Sequence, residues 1–154
     1  MRIAVDFDGT LVDDDREYAD FTSPLKLKVG ARQALQRLKY AQHTIIVCSA
    51  RSNLALREDW RLNQLWLSGA VRFDPAFWAM NLEVNRGRYE QMVTFVATEL
   101  VGLVDAVDDG RQGKLMVDLF IDDRAVCLGQ GAHAMNWRAV AELYGAPAAE
   151  SSGL

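Results

Sequence analysis

Asp6 and Asp8, separated by one residue and followed by Gly9 and Thr10, stand at the end of the short apolar run that starts the chain. A second acidic pair, Asp122-Asp123, closes a run that begins at Leu115, and Ser49 and Arg51 follow a third, Thr44 to Cys48. A carboxylate at the end of a buried strand must be paired, protonated or bound to a cation. Three or four of them brought together require positive charge. An oxygen-only donor set favours Mg²⁺, which takes one or two carboxylates and keeps waters and substrate phosphate. Zinc is disfavoured, because Cys48, Cys127, His43 and His133 have no ligand spacing.

The elements that would position these residues follow from apolar periodicity. Residues 2–7 read as a central buried strand, residues 30–42 as an amphipathic helix with Ala31, Leu35 and Leu38 inward, and residues 43–48 as a second strand. A strand, helix and strand in that order form a crossover, so the two strands should be parallel. Further along, a helix is expected over 53–67 with Asn53 as N-cap and Gly69 as its stop, then a short strand over 70–73. A helix over 89–103, a strand over 115–121 and a helix over 137–144 started by Asn136 complete the pattern. The fold class is therefore α/β, a three-layer Rossmann-like domain with a mostly parallel sheet. In such sheets the reactive crevice lies beyond the carboxyl ends of the strands, where the acidic residues fall.

One domain is expected over 1–145, with a flap at 11–29, a small insert rather than a full cap within 70–113, and a frayed tail at 146–154. The flap carries Asp13, Asp14, Asp15, Glu17 and Asp20, which read as a solvated acidic face.

Asp6-Phe7-Asp8-Gly9-Thr10, Ser49, Lys114 and Asp122-Asp123, each in order and three of them at strand ends, resemble the four motifs of the haloacid dehalogenase (HAD) superfamily. The likeness spans residues 2 to 124 and is confined to the signatures. It implies a phosphatase-type member, small or capless. Asp6 would be the nucleophile that forms an aspartyl-phosphate, and Asp8 would protonate the leaving oxygen and then activate water. The presence of Asp8 favours phosphoryl over carbon–halogen chemistry. Gly9, Thr10, Ser49 and Lys114 would hold the phosphate, with Lys114 also neutralising the nucleophile. The Asp6 carboxylate, the Asp8 carbonyl and Asp122 would hold Mg²⁺, and Asp123 would act directly or through water. Lys114-Leu115 stands where many family members have Lys-Pro, and Lys26 and Lys28 compete for the lysine role. Arg51 and Arg124 are open between structural ion pairing and substrate contact.

The implied activity is a Mg²⁺-dependent phosphomonoester hydrolase acting on a small phosphorylated metabolite. Half of the 154 residues are apolar and a quarter charged, as in an ordinary globule, and the net charge of −4 gives no global pull toward nucleic acid or anionic lipid. Residues 51–88 nevertheless hold six Arg against four acids. With the Ile-Asp-Asp-Arg ending, which is similar to polynucleotide 3′-phosphatases, this makes such an enzyme the alternative. A non-catalytic partner-binding module is a third reading. No membrane span or secretory leader is read in the chain, so a cytoplasmic protein is expected, and its oligomeric state is left open.

Overall fold

The structure, a computed structural model, describes residues 1–58, 75–124 and 136–147. Four parallel strands form one sheet: β1 (Arg2–Asp6), β2 (Thr44–Cys48), β3 (Ala106–Val107) and β4 (Leu119–Ile121), in the order β3-β2-β1-β4. Ile3, Ala4 and Val5 of the central β1 are fully buried, as an uninterrupted apolar run predicts for a strand covered on both faces. The sheet order reverses at β1, with β2 on one side and β4 on the other. This is the switch point at which open parallel sheets form their crevice.

Helix α1 (Ala31–Tyr40) is the crossover from β1 to β2. It buries Ala31, Ala34, Leu35 and Leu38, spaced three and four apart on one face. A 3₁₀ turn at Ala50–Ser52 leads to α2 (Leu54–Glu58), which starts one residue after the expected N-cap, Asn53, whose side chain accepts the Leu56 N–H. The rest of the helix expected to 67, the strand at 70–73, Cys127, His133 and tail residues 148–154 lie outside the described residues. Helix α3 (Pro75–Glu99) is much longer than the 89–103 expected, and α4 (Trp137–Tyr144) has the expected bounds, with the Asn136 side chain accepting the Ala139 N–H at 3.1 Å. Inward residues of α1, α3 and α4 share one cluster with Ile3, Val5, Ile45, Val47 and Ile121. Among the described residues no helix is long and apolar enough to cross a membrane.

Three departures from the sequence reading have simple causes. The first half of α3 shows no apolar stripe because a polar group is buried there: Asn85 donates to the Leu56 carbonyl at 3.2 Å, and beside it the exposed Arg86 donates to that of Arg57 at 2.9 Å. Strand β4 begins at Leu119 rather than 115 because its partner β1 begins at Arg2. Ile3 pairs with Leu119, and Arg2 and Asp118 close the ladder by exchanging bonds. The strand beside β2 is Ala106–Val107, too short for any periodicity to reveal.

Residues 11–29 hold no helix or strand. The two ends of this segment are tied by the Lys28 N–H to the Leu11 carbonyl and the Asp13 N–H to the Lys26 carbonyl. The Phe21 ring lies against α3 at Gly87, where a side chain would occupy the space of the ring.

Candidate active site

Strand register brings the carboxylates together. Val5 pairs with Ile121, so the next residues, Asp6 and Asp122, lie side by side on the same face, with adjacent strands about 4.8 Å apart. Asp6 also pairs with Cys48, and Val47 with Val107, so Asp108 falls beside Cys48. The carboxyl end of the sheet therefore carries the row Asp108, Cys48, Asp6, Asp122. Carboxylate oxygens of Asp6, Asp122 and Asp123 all lie within 4.8 Å of one another.

The electrostatic consequence is large. Burial, reinforced by Asp122 and Asp8 and opposed by bonds from Phe7 and Thr10, pushes the Asp6 carboxyl up to about 7. Burial, followed by Asp6, Asp108 and Asp122, pushes the Cys48 thiol up to about 12, so it is no nucleophile at neutral pH. Negative charge is concentrated here beyond what the surrounding protein neutralises. A hard divalent cation suits three oxygen donors at this spacing.

The turn after β1 is shaped for this cluster. The Phe7 carbonyl accepts the N–H groups of Leu11 and Val12. Thr10, fully buried, donates its hydroxyl to Asp6 at 3.2 Å and accepts the Asp123 N–H at 2.9 Å, which ties the ends of β1 and β4 together. The Thr10 carbonyl in turn accepts the indole N–H of Trp137 at 2.9 Å, so α4 props the turn from beneath. Gly9 has φ +77°, and a Cβ there would stand 2.7 Å from Asp123 Oδ2. Gly9→Ala should therefore combine left-handed backbone strain with displacement of Asp123, lowering stability in urea unfolding by about 1–3 kcal/mol.

Asp8 is held apart from the cluster by a guanidinium clamp. Arg51 donates from Nε to Oδ2 at 2.7 Å and from Nη2 to Oδ1 at 2.5 Å, and Arg88 Nη2 lies 3.4 Å from Oδ2. Arg51 is itself buried, giving Nη1 to the Arg88 carbonyl and to Gln91 Oε1 and resting over the Phe7 ring at 5.1 Å. Arg51 thus forms a buried ion pair with Asp8. The Asp8 carbonyl accepts no hydrogen bond from the described residues, so its lone pairs are available to a cation.

The remaining expected residues are placed as follows. Ser49, one residue past β2, uses its hydroxyl to accept the Arg51 N–H at 3.2 Å. Asp122 accepts the Arg124 N–H at 2.7 Å, while the Arg124 side chain is exposed and makes no ion pair among the described residues. Lys114 lies between β3 and β4, exposed and unpaired among the described residues, and Lys28 is 3.8 Å from Asp13. Three contributors went unread in the sequence: Asp108, Arg88 and Gln91. The first had a signal, because Ala106-Val107-Asp108-Asp109-Gly110 repeats in brief the pattern of an apolar run ending in acids and a glycine.

Among known proteins, no family model, no curated protein and no solved structure matches the chain. What fold and site define by themselves is an α/β protein with an all-parallel sheet and an acidic cluster at its switch point, suited to a divalent metal.

Proposed function

We propose that this chain is a Mg²⁺-dependent phosphomonoester hydrolase of the HAD superfamily, working through an aspartyl-phosphate on a small phosphorylated metabolite. The observation that carries the reading is the convergence of Asp6, Asp122 and Asp123 within 4.8 Å at the ends of adjacent parallel strands. Asp6, Asp122 and the Asp8 carbonyl would hold the ion, with Asp123 beside them, and bound Mg²⁺ would supply charge neutralisation to the phosphoryl group.

The chain's own groups account for the rest. An Asp6 oxygen attacks phosphorus while the bond to the leaving oxygen breaks, and a proton from Asp8 neutralises the departing alkoxide. Water then attacks the aspartyl-phosphate, Asp8 takes its proton, and inorganic phosphate leaves with Asp6 restored. Oδ1 of Asp8 accepts one hydrogen bond among the described residues and keeps a lone pair for the proton, so Arg51 can hold the carboxyl in place while it acts. Thr10 fixes the Asp6 carboxylate for attack, and Lys114 would contribute positive charge from the segment preceding β4.

The direct test is a turnover screen of phosphorylated metabolites and 3′-phosphate oligonucleotides with Mg²⁺. Release of phosphate from metabolites is the expected result. Salt-sensitive hydrolysis of the oligonucleotides alone would favour the polynucleotide phosphatase, and turnover of neither would overturn the hydrolase reading.

Metal dependence of stability follows from Asp6. Folding raises its carboxyl from 3.8 to about 7, so between these values the folded protein holds a proton that the unfolded chain has lost. This favourable contribution is complete below pH 3.8 and disappears as pH rises through 7, by up to about 4 kcal/mol in metal-free protein. Mg²⁺ should restore it. Thermal melts with Mg²⁺ and with chelator should differ strongly at pH 7.5 and little at pH 5, and identical melts at both would contradict a metal at this cluster.

A further inference from the structure

Arg88 is the second guanidinium at Asp8, and Asp8 does not need it. Both Asp8 oxygens already take short bonds from Arg51, and Arg88 approaches only to 3.4 Å. One carboxylate thus faces two cations, and the second is held at a largely buried position by groups other than Asp8. The side chain is kept there by the Tyr18 carbonyl, which accepts from Nη1 at 2.8 Å, and by the Tyr18 ring, whose centroid lies 4.3 Å from the guanidinium carbon. Tyr18 is fixed in turn by its hydroxyl bond to Asn85.

A guanidinium has five N–H donors, and only two of those on Arg88 have partners among the described residues. The side chain is not sealed in, since 12 % of its surface stays open to solvent. Arg88 therefore combines a charge that Asp8 does not require, unused donors and access to solvent, all beside Asp8. In the proposed reaction Asp8 faces the oxygen that leaves, so Arg88 lies on the alcohol side of the substrate.

We infer that Arg88 is a specificity residue that receives an anionic group, a carboxylate or a second phosphate, carried by the alcohol portion of the phosphomonoester. The inference rests on the hydrolase reading for the direction in which substrate lies. It narrows the substrate class from phosphomonoesters in general to those with two anionic ends. A fork of N–H donors suits either oxyanion, and a lysine would serve only as a point charge.

The test compares kcat/KM of the full chain with Mg²⁺ for 3-phosphoglycerate, 2,3-bisphosphoglycerate and glycerol 3-phosphate. These share a three-carbon frame and differ in bearing a carboxylate, a carboxylate with a second phosphate, or no second anion. Wild type should prefer the dianionic-ended compounds by about ten- to a hundredfold, the range expected of one charge-assisted hydrogen bond. The ratio should fall toward one in Arg88→Met and recover in part in Arg88→Lys, whatever happens to the absolute rates. A residue that merely latches the flap would lower all three together and leave the ratio intact, and that outcome overturns the inference. If wild type hydrolyses no phosphomonoester, the hydrolase reading fails by itself. The same compounds are then compared by thermal shift with Mg²⁺: stronger stabilisation by the anionic pair, lost in Arg88→Met, upholds Arg88, and equal or absent shifts reject it.

Discussion

Asp6→Asn should abolish turnover and, in the same protein, raise the stability of the metal-free fold at neutral pH. The two effects have one origin. A carboxylate is required as nucleophile, and an amide in its place cannot form the aspartyl-phosphate, so the rate should fall by about a thousandfold or more. The same carboxylate is costly when ionised beside Asp122 and Asp8 in a buried setting. Asparagine removes that charge, keeps the shape, and offers its amide N–H groups to the neighbouring carboxylates. A gain of about 1–3 kcal/mol is expected in urea unfolding with chelator at pH 7.5. It should shrink at pH 5, where wild-type Asp6 already carries its proton. Loss of activity together with loss of stability would mean that Asp6 is a structural acid, and retained activity would remove it as nucleophile.

How much of this arrangement could be read in advance depends on the length over which each element repeats itself. Ile3-Ala4-Val5-Asp6 announces both a buried strand and its chemical end, because apolar residues continue until an acid stops them. Asn136 before Trp137 and the Ala31, Ala34, Leu35, Leu38 stripe are local signals of the same strength, and both helices fall close to where they are expected. Asp108 had only a brief signal, an apolar pair ending in acids and a glycine, and its strand of two residues gains its place from the register of Val107 on Val47. Arg88 was hidden for a different reason. It belongs to a stretch of α3 that turns polar groups inward, so the helix itself shows no stripe before residue 89. The two readings of Arg51 differ by partner alone, and a partner 43 residues away in sequence is a tertiary fact.

That partner makes Arg51 the most sensitive structural position after the cluster itself. Arg51→Met should destabilise the protein by about 3–5 kcal/mol, because it leaves Asp8 with only the distant Arg88 and strips the Gln91 side chain and the Arg88 carbonyl of their donor. Arg51→Lys should recover only part of this, since one ammonium cannot span two carboxylate oxygens as Nε and Nη2 do. A second substitution separates the ion pair from simple packing. Asp8→Asn alone leaves a buried guanidinium facing a neutral amide, whereas Arg51→Met with Asp8→Asn removes both charges. The double variant should be less destabilised than the sum of the singles by well over 0.5 kcal/mol, and additivity within that margin would deny the coupling. The clamp also reaches the flap, because Gln91 holds the Ser23 carbonyl at 2.9 Å with the end opposite to the one Arg51 engages. Loss of Arg51 should therefore loosen residues 14–24, and limited proteolysis should cut there faster in Arg51→Met than in wild type under conditions where both are folded. Unchanged cleavage would confine the role of Arg51 to Asp8.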